Sequence, residues 1–372
     1  MKSIFCYLFI FFPLFFSCNS VTKQGDLLEI PVDVCQNNSL PLSEIAESIT
    51  AIDLELTDKS LINPFIIGRI LLLKDYVIIS DFTQILIFHR NGKFIRSIGS
   101  KGQGPGEYIR ITQLAVDEKN EYLFVVSSGY KIICYDLDGN LIRESYIFQD
   151  KWSIIREINY VNNELLIITD DPRGKDARGL YSRSLVFWLD DKLQIIDSLA
   201  IRNVYFEIEN GFYTKHANYI TSADSAVYLY YADLYPNSIE KILRDTLYRM
   251  DNNCLIPELK LKFENNGIDG SGIKFIKLSK IYRSSRYVFA AYGNSHNTTE
   301  FDYFYFFCYD TKTGNGYNML EGYTDDIHQI EERKWIYPLC TNTEMFYYWH
   351  THMKPDDLEE PNPTLYIGRL KK

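Results

Sequence analysis

At 372 residues the chain has room for two average domains or one large all-β architecture. Its 46% hydrophobic and 24% charged residues exclude a disordered chain. A formal charge of −10 with no Lys/Arg run excludes a nucleic-acid binder, which needs a concentrated basic surface to displace counterions. The 29 Tyr and 23 Phe favour strands, because aromatic side chains fit a pleated, half-buried surface.

In chain order, the first feature is a targeting signal. Lys2 precedes an apolar run from Ile4 to Phe16 of about 13 residues, short of the roughly 20 that span a bilayer but suited to a signal-peptide core. The run ends in Leu14-Phe15-Phe16-Ser17-Cys18, a small residue before a cysteine that resembles a bacterial lipobox with Phe15 in the usual aliphatic place. The expectation is a signal peptide over residues 1–17 and acylation at Cys18, with membrane attachment through buried methylenes. Residues 18–47 are expected to be a tether and lead-in, and residues 48–372 the folded domain. Without Cys6 and Cys18, Cys35, Cys134, Cys254, Cys308 and Cys340 remain, an odd set with no zinc or redox spacing; no disulfide framework is expected.

From there one phrase recurs: an apolar strand, a tight polar turn and a second apolar strand. Its first copies are Ile87-Phe88-His89-Arg90-Asn91-Gly92-Lys93-Phe94-Ile95 and Cys134-Tyr135-Asp136-Leu137-Asp138-Gly139-Asn140-Leu141-Ile142. Asn-Gly and Asp-Gly are read as type I′ hairpin turns, with both central residues at positive φ. Weaker copies start at Phe187, Leu247, Phe307 and Leu365, at intervals of roughly 47 to 60 residues, close to the length of a four-stranded propeller blade. Extra length is assigned to loops such as 170–182 and 296–302. Two strand-like runs precede each of several copies, as at Tyr76–Ser80 and Tyr287–Tyr292, which completes four strands per blade. No helical period is sustained. The sixth copy lacks its last strand, and the alternating segment 48–56 is expected to supply it, since a ring leaves no open edge. The predicted fold is therefore all-β, a six-bladed propeller closed by an N-terminal strand. Cys134 and Cys308 occupy equivalent strands on opposite sides of such a ring and should not bond.

The stretch Ile85 to Tyr108, with Asn91-Gly92-Lys93-Phe94-Ile95, Ile98-Gly99 and Gly102-Gln103-Gly104-Pro105-Gly106-Glu107-Tyr108, resembles the NHL-like six-bladed β-propeller lipoproteins of the Bacteroides group. Leu42-Ser43-Glu44-Ile45, Leu54-Glu55, Asp245-Thr246-Leu247-Tyr248-Arg249 and the segment from Asn362-Pro363 to Leu370-Lys371 extend the resemblance over nearly the whole mature chain. It implies a propeller fold and a lipid-anchored place in the cell envelope, on the periplasmic or surface side of the outer membrane. It supplies no catalytic residues. Residues 19–24 contain no acid, unlike the acidic export signal of some members.

Candidate chemistry is sparse. The loop Gly99 to Glu107 has the glycines of an anion cradle but not the Walker spacing, so it reads first as a crossing between blades. Lys101, Gln103 and Glu107 are its candidate binding side chains. Trp349 is a candidate ring for stacking on a ligand. His350 and His352, at i and i+2, are candidate metal ligands if Asp356 or Asp357 completes the set. Asp136-Leu137-Asp138-Gly139 lacks the remaining oxygens of a calcium loop and is a hairpin. The pairs Asp170-Asp171, Asp190-Asp191 and Asp325-Asp326 read as solvated loop charge, and the aromatic runs as blade core with some rings on an exposed face. No catalytic set and no cofactor are expected. The reading is a non-catalytic binding or scaffold module for a protein, peptide or glycan. The alternative is a lactonase-, lyase- or hydrolase-type propeller with a metal on its axis, which the mainly apolar inner strands do not favour.

Overall fold

The computed structural model describes residues 27–148, 153–206, 218–232, 243–251, 254–268, 275–294, 303–351 and 361–372. The signal peptide, Cys18, His352, Asp356 and Asp357 lie outside these residues.

Six antiparallel sheets follow one another around a ring. Blade 1 runs over Arg69–Leu72, Tyr76–Ser80, Ile85–His89 and Phe94–Ser97. Blade 2 spans 111–146, blade 3 spans 154–206, blade 4 spans 218–263 and blade 5 spans 276–320. Blade 6 takes Tyr337–Leu339, Asn342–His350 and Thr364–Leu370, and Ala46–Asp53 completes it, with Ile49 opposite Gly368 and Asp53 opposite Thr364. The ring closes as expected, with the closing strand at Ala46–Asp53 rather than over 48–56.

The core is the set of blade junctions. Apolar residues gather into six clusters, each joining two neighbouring blades. Every sheet is thus covered on both faces, which explains why Ile78, Ile79, Ile132 and Ile133 are buried in succession without alternation. Rings expected on an exposed face are enclosed for the same reason: Tyr228, Tyr230, Tyr231, Phe346, Tyr347 and Tyr348 are all buried. Cys134 and Cys308 lie in different junctions, and the cysteines among the described residues are free.

Several expectations change. The hairpin turns at Gly92 and Gly139 place only the glycine at positive φ, at 87° and 92°. Gly92 N–H donates to His89 O and Gly139 N–H to Asp136 O, and the strand leaving each turn carries an extra residue, Ile95 and Ile142. This is a type I turn followed by a bulge rather than type I′. Blade 3 uses the same turn with Leu193 in the glycine place at φ 61°, its side chain held in the core. Residues 170–182 are not a loop: blade 3 extends its strands to 13, 11 and 12 residues and projects beyond the ring. The lead-in is also built into the fold. Leu28–Val32 adds in parallel to the outer strand Cys254–Phe263 of blade 4, and Leu40 and Leu42 are buried between blades 5 and 6.

Strand direction gives the ring two unlike ends. One carries short turns within blades, among the described residues 73–75, 118–121, 162–163, 224–225, 284–286 and 340–341 between the inner strands. At the other, 54–68, 98–110 and 321–336 cross from blade to blade, and the strands flanking 207–217, 233–242, 295–302 and 352–360 end there too.

Ring closure predicts unequal costs for two glycines of matching conformation. A Cβ on Gly92 would fall 1.9 Å from Asp53 O of the closing strand, whereas one on Gly139 would meet nothing within 4 Å. By urea denaturation, Gly139→Ala should cost about 1 kcal/mol, the conformational term alone. Gly92→Ala should cost on the order of 3 kcal/mol or more. Equal losses would mean that the closing strand does not press on the first blade's turn.

Candidate functional site

The inner strands carry the polar groups that converge, and β-bulges put them there. Thr112, Arg156 and Ser279 are each skipped in the pairing of the innermost strands of blades 2, 3 and 5. The residue after each bulge, Gln113, Glu157 and Lys280, changes face relative to a regular strand. The effect is visible in blade 5, where Ile276, Leu278 and Ile281 all pack toward blade 4 although their spacing breaks the period of two. Lys277 and Lys280 share the opposite face.

Arg69 of blade 1 organises one half of the axis. Its Nη1 donates to Gln113 Oε1 at 2.8 Å and its Nη2 to Asn159 Oδ1 at 2.7 Å. Glu157 lies 3.6 Å from Nη1, accepts from Asn159 Nδ2 at 2.7 Å and from the Ile220 N–H at 3.4 Å. Four blades are therefore tied through one guanidinium and one carboxyl. Burial pushes the Glu157 carboxyl up to about 7, against the opposing pull of Arg69 and Asn159.

The other half belongs to blades 5 and 6. Lys280 Nζ lies 4.5 Å from the centre of the Tyr337 ring, and burial pulls its amine down to about 8. Tyr337 stacks on Trp349 at 5.3 Å and 14°, and on Tyr347 at 5.5 Å and 20°. Cys340 feels Arg69, Glu157 and Lys280 together, which places it between the halves, and burial raises its thiol pKa. At the short-turn end blades 4, 5 and 6 are tied together: Ser222 N–H donates to Cys340 O at 2.8 Å, and the Thr343 hydroxyl lies within hydrogen-bond distance of the Ser222 and Arg283 carbonyls.

The sites expected from sequence fall apart from this centre. In the glycine loop, Ser100–Lys101 pairs with Glu107–Tyr108, and the Glu107 carboxylate folds inward to accept Gly104 N–H at 2.7 Å. A Cβ on Gly102 would fall 2.0 Å from that carboxylate. The cradle is filled by the protein's own anion, and Glu107 is a structural residue. Lys131 and Tyr135 of blade 2 bind the loop's carbonyls, with Lys131 also 2.9 Å from Glu144. Lys101 and Gln103 remain exposed at the rim between blades 1 and 2. Trp349 and His350 are on blade 6, so the sequence candidates do not form one site. His350 Nδ1 has Lys334 Nζ at 2.9 Å and Glu332 Oε2 at 3.2 Å. An ammonium facing the imidazole lone pair opposes a cation there. Among the described residues, no three His, Cys, Asp or Glu side chains converge as a metal set.

Two acids read as solvated are buried. Asp170 accepts from Arg156 Nε at 2.9 Å, Ser184 Oγ at 2.7 Å and Tyr231 OH at 2.7 Å beneath the blade 3 extension. Asp325 accepts from Tyr348 OH at 2.6 Å and caps the turn at Ile327 and His328. Asp-Asp spacing did not distinguish these from the exposed Asp191.

Residues 27–366 match the family described as a domain of unknown function, DUF4934. No curated protein matches the chain. Among solved structures it is similar to a Bacteroides fragilis protein described as exported, at 18% identity and a TM-score of 0.60, over 93% of this chain and 100% of that one. It is also similar to hydrazine synthase of Kuenenia stuttgartiensis, at 10% identity and a TM-score of 0.46, over 78% and 75% of the two chains. For the Cps50 (Swd1) β-propeller domain of Myceliophteria thermophila the values are 13% and 0.43, over 85% and 100%. Likeness at the identity of the first speaks to the fold, and the other two carry no further argument.

The axial carboxyl has a measurable signature. Its folded pKa lies above the usual 4.5, so its contribution to stability is complete below about 4.5 and is lost as pH rises through about 7. Glu157→Gln keeps the acceptor for Asn159 and removes the titration. Urea denaturation of the wild type should show stability falling by roughly 3 kcal/mol across that window through this group, and the variant should lack that slope. Identical pH profiles would show that Glu157 does not titrate there.

Proposed function

The chain belongs to the DUF4934 family, and we propose that it is an exported, lipid-anchored propeller of the NHL-like kind that binds a protein, peptide or glycan without transforming it. The observation that carries this reading is the commitment of the axial groups to one another. Arg69, Gln113, Glu157 and Asn159 spend their polar atoms on mutual hydrogen bonds, and Glu157 is the one carboxyl in that group. A metal-dependent propeller enzyme needs several anionic or imidazole ligands at this place, and a general base needs an acceptor facing substrate. The ring instead offers a frame whose blade-to-blade crossings, among the described residues, lie on one face, the usual division between scaffold and recognition surface.

Export and anchoring rest on the apolar run before Ser17-Cys18, and a similar fold described as exported in Bacteroides fragilis is in keeping with them. Lipid attachment at Cys18 would hold the ring by its blade 4 side, because Leu28 enters the fold there.

Two measurements test this. Cys18→Ala should move the protein from the membrane fraction to the soluble fraction of the envelope; retention by the membrane would contradict the anchor. Purified chain supplied with Ca²⁺ or Zn²⁺ should leave panels of lactones, esters and polysaccharides unchanged. Turnover that vanishes in Arg69→Met would overturn the binding reading in favour of an axial enzyme.

A further inference from the structure

Two crossings meet at blade 1: 54–68 leads into its first strand, and 98–110 leaves its last. Together they expose four large apolar side chains, Leu61, Phe65, Ile66 and Ile109. Phe65 stands furthest out, with 84% of its surface in water. The half-buried ring of Phe82 lies between the crossings. A Cβ on Gly68 would fall 3.2 Å from that ring, the Arg110 guanidinium sits 5.2 Å above its centre, and Ile111 N–H donates to Phe82 O at 2.9 Å.

The turn that presents Phe65 is held firmly. Pro64 opens a 3-10 turn over Pro64–Ile66, Asn63 Oδ1 accepts Phe65 N–H at 3.0 Å, and Asn63 O accepts Ile66 N–H at 3.2 Å. On either side, Ile62 N–H donates to Asn362 Oδ1 at 2.8 Å and Gly68 N–H to Ser80 O at 2.7 Å, while Gln84 Nε2 donates to Leu61 O at 2.6 Å. Backbone groups bonded in this way can leave water without losing a hydrogen bond, which suits the turn to a surrounding of low dielectric. The carboxylates nearby are turned to backbone: Glu55 accepts Phe94 N–H, Asp81 accepts Thr83 and Gln84 N–H, and Glu107 accepts Gly104 N–H. Lys59, Lys101 and Arg110 stand exposed on the same two crossings, together with the acid Asp58.

We infer that this corner of the ring docks on an anionic lipid bilayer, with Phe65 and Leu61 entering the boundary between headgroups and acyl chains and the three cations meeting lipid phosphates. A protein partner would have to bring a pocket for a projecting ring, whereas a bilayer needs none. The chain outside the folded part is in keeping with this occupant. Acylation at Cys18 would leave residues 19–27, nine in number, to reach Leu28, a span of about 30 Å at most. The inference goes beyond the binding-module reading and does not require the acyl chain: Cys18 would hold the ring near the surface, and the 61–66 turn would set which side faces it. One such turn binds reversibly, so washing still releases a Cys18→Ala chain from the envelope while excess vesicles capture it.

The test floats the mature chain carrying Cys18→Ala with excess vesicles of phosphatidylethanolamine and phosphatidylglycerol, and separately with phosphatidylcholine vesicles. The chain should float with the anionic vesicles, and Phe65→Ser should lower its partition coefficient by about tenfold. Lys59→Gln combined with Arg110→Gln should remove most of the preference for anionic lipid. Phe65 is exposed, so its replacement should leave the circular dichroism melt unchanged, and Leu61→Ser gives a second probe of the same turn. Ile196→Ser, at an exposed apolar residue of blade 3, should float like the parent chain. No flotation with anionic vesicles, flotation indifferent to Phe65→Ser, or an equal loss in Ile196→Ser would overturn the assignment. A dimer in sedimentation velocity that Phe65→Ser dissociates, without vesicle binding, would give the surface to a second copy instead. Because the floated chain has no acyl group, its result stands apart from the fate of the Cys18 anchor.

Discussion

The pairing of Ala46–Asp53 with Thr364–Leu370 is the constraint on which the rest depends. It joins residues more than three hundred positions apart and turns a row of sheets into a ring. Without it, blade 6 would present an open edge, and the apolar clusters on its two sides would lose a wall. Ile52 packs toward blade 1 while Ala46 and Ile49 pack toward blade 5, so the one strand contributes to two junctions. Hydrogen bonds at its ends reinforce it: Lys371 N–H donates to Ile45 O, and Glu55 N–H to Gly92 O in the next blade.

Closure also fixes the axis. Six inner strands are drawn together so closely that Arg69 of blade 1 reaches Asn159 of blade 3, and Ser222 of blade 4 reaches the turn of blade 6. Polar side chains at such a place must satisfy one another, because leaving one without a partner costs the full desolvation of the group. The Arg69–Glu157–Asn159 arrangement meets that demand on one side. On the other, Lys280 of blade 5 stands over the Tyr337 ring of blade 6.

Much of this fold was legible in the residues. Asn91-Gly92 and Asp138-Gly139 mark hairpins because a left-handed residue is needed there, and the recurrence of that phrase gives the blade count. The exact turn type was not legible, since Asn and Asp serve equally before a single left-handed glycine. Nor was the axial group. Gln113, Glu157 and Lys280 follow bulged residues, and a bulge shifts the period of two that sequence patterning relies on. The glycine loop misled for a different reason: Gly102 and Gly104 are required, but by the returning Glu107 carboxylate rather than an incoming anion. Trp349 stands out in the sequence as a ring in a strand, and only the structure gives it Tyr337 as a stacking neighbour.

Hydrogen exchange read by mass spectrometry addresses closure most directly. Peptides covering 46–53 should be protected as strongly as those covering 364–370, and both should exchange only through global unfolding. Rapid exchange of 46–53 beside a protected 364–370 would show a strand that merely rests on the last blade, and the closed ring would have to be abandoned.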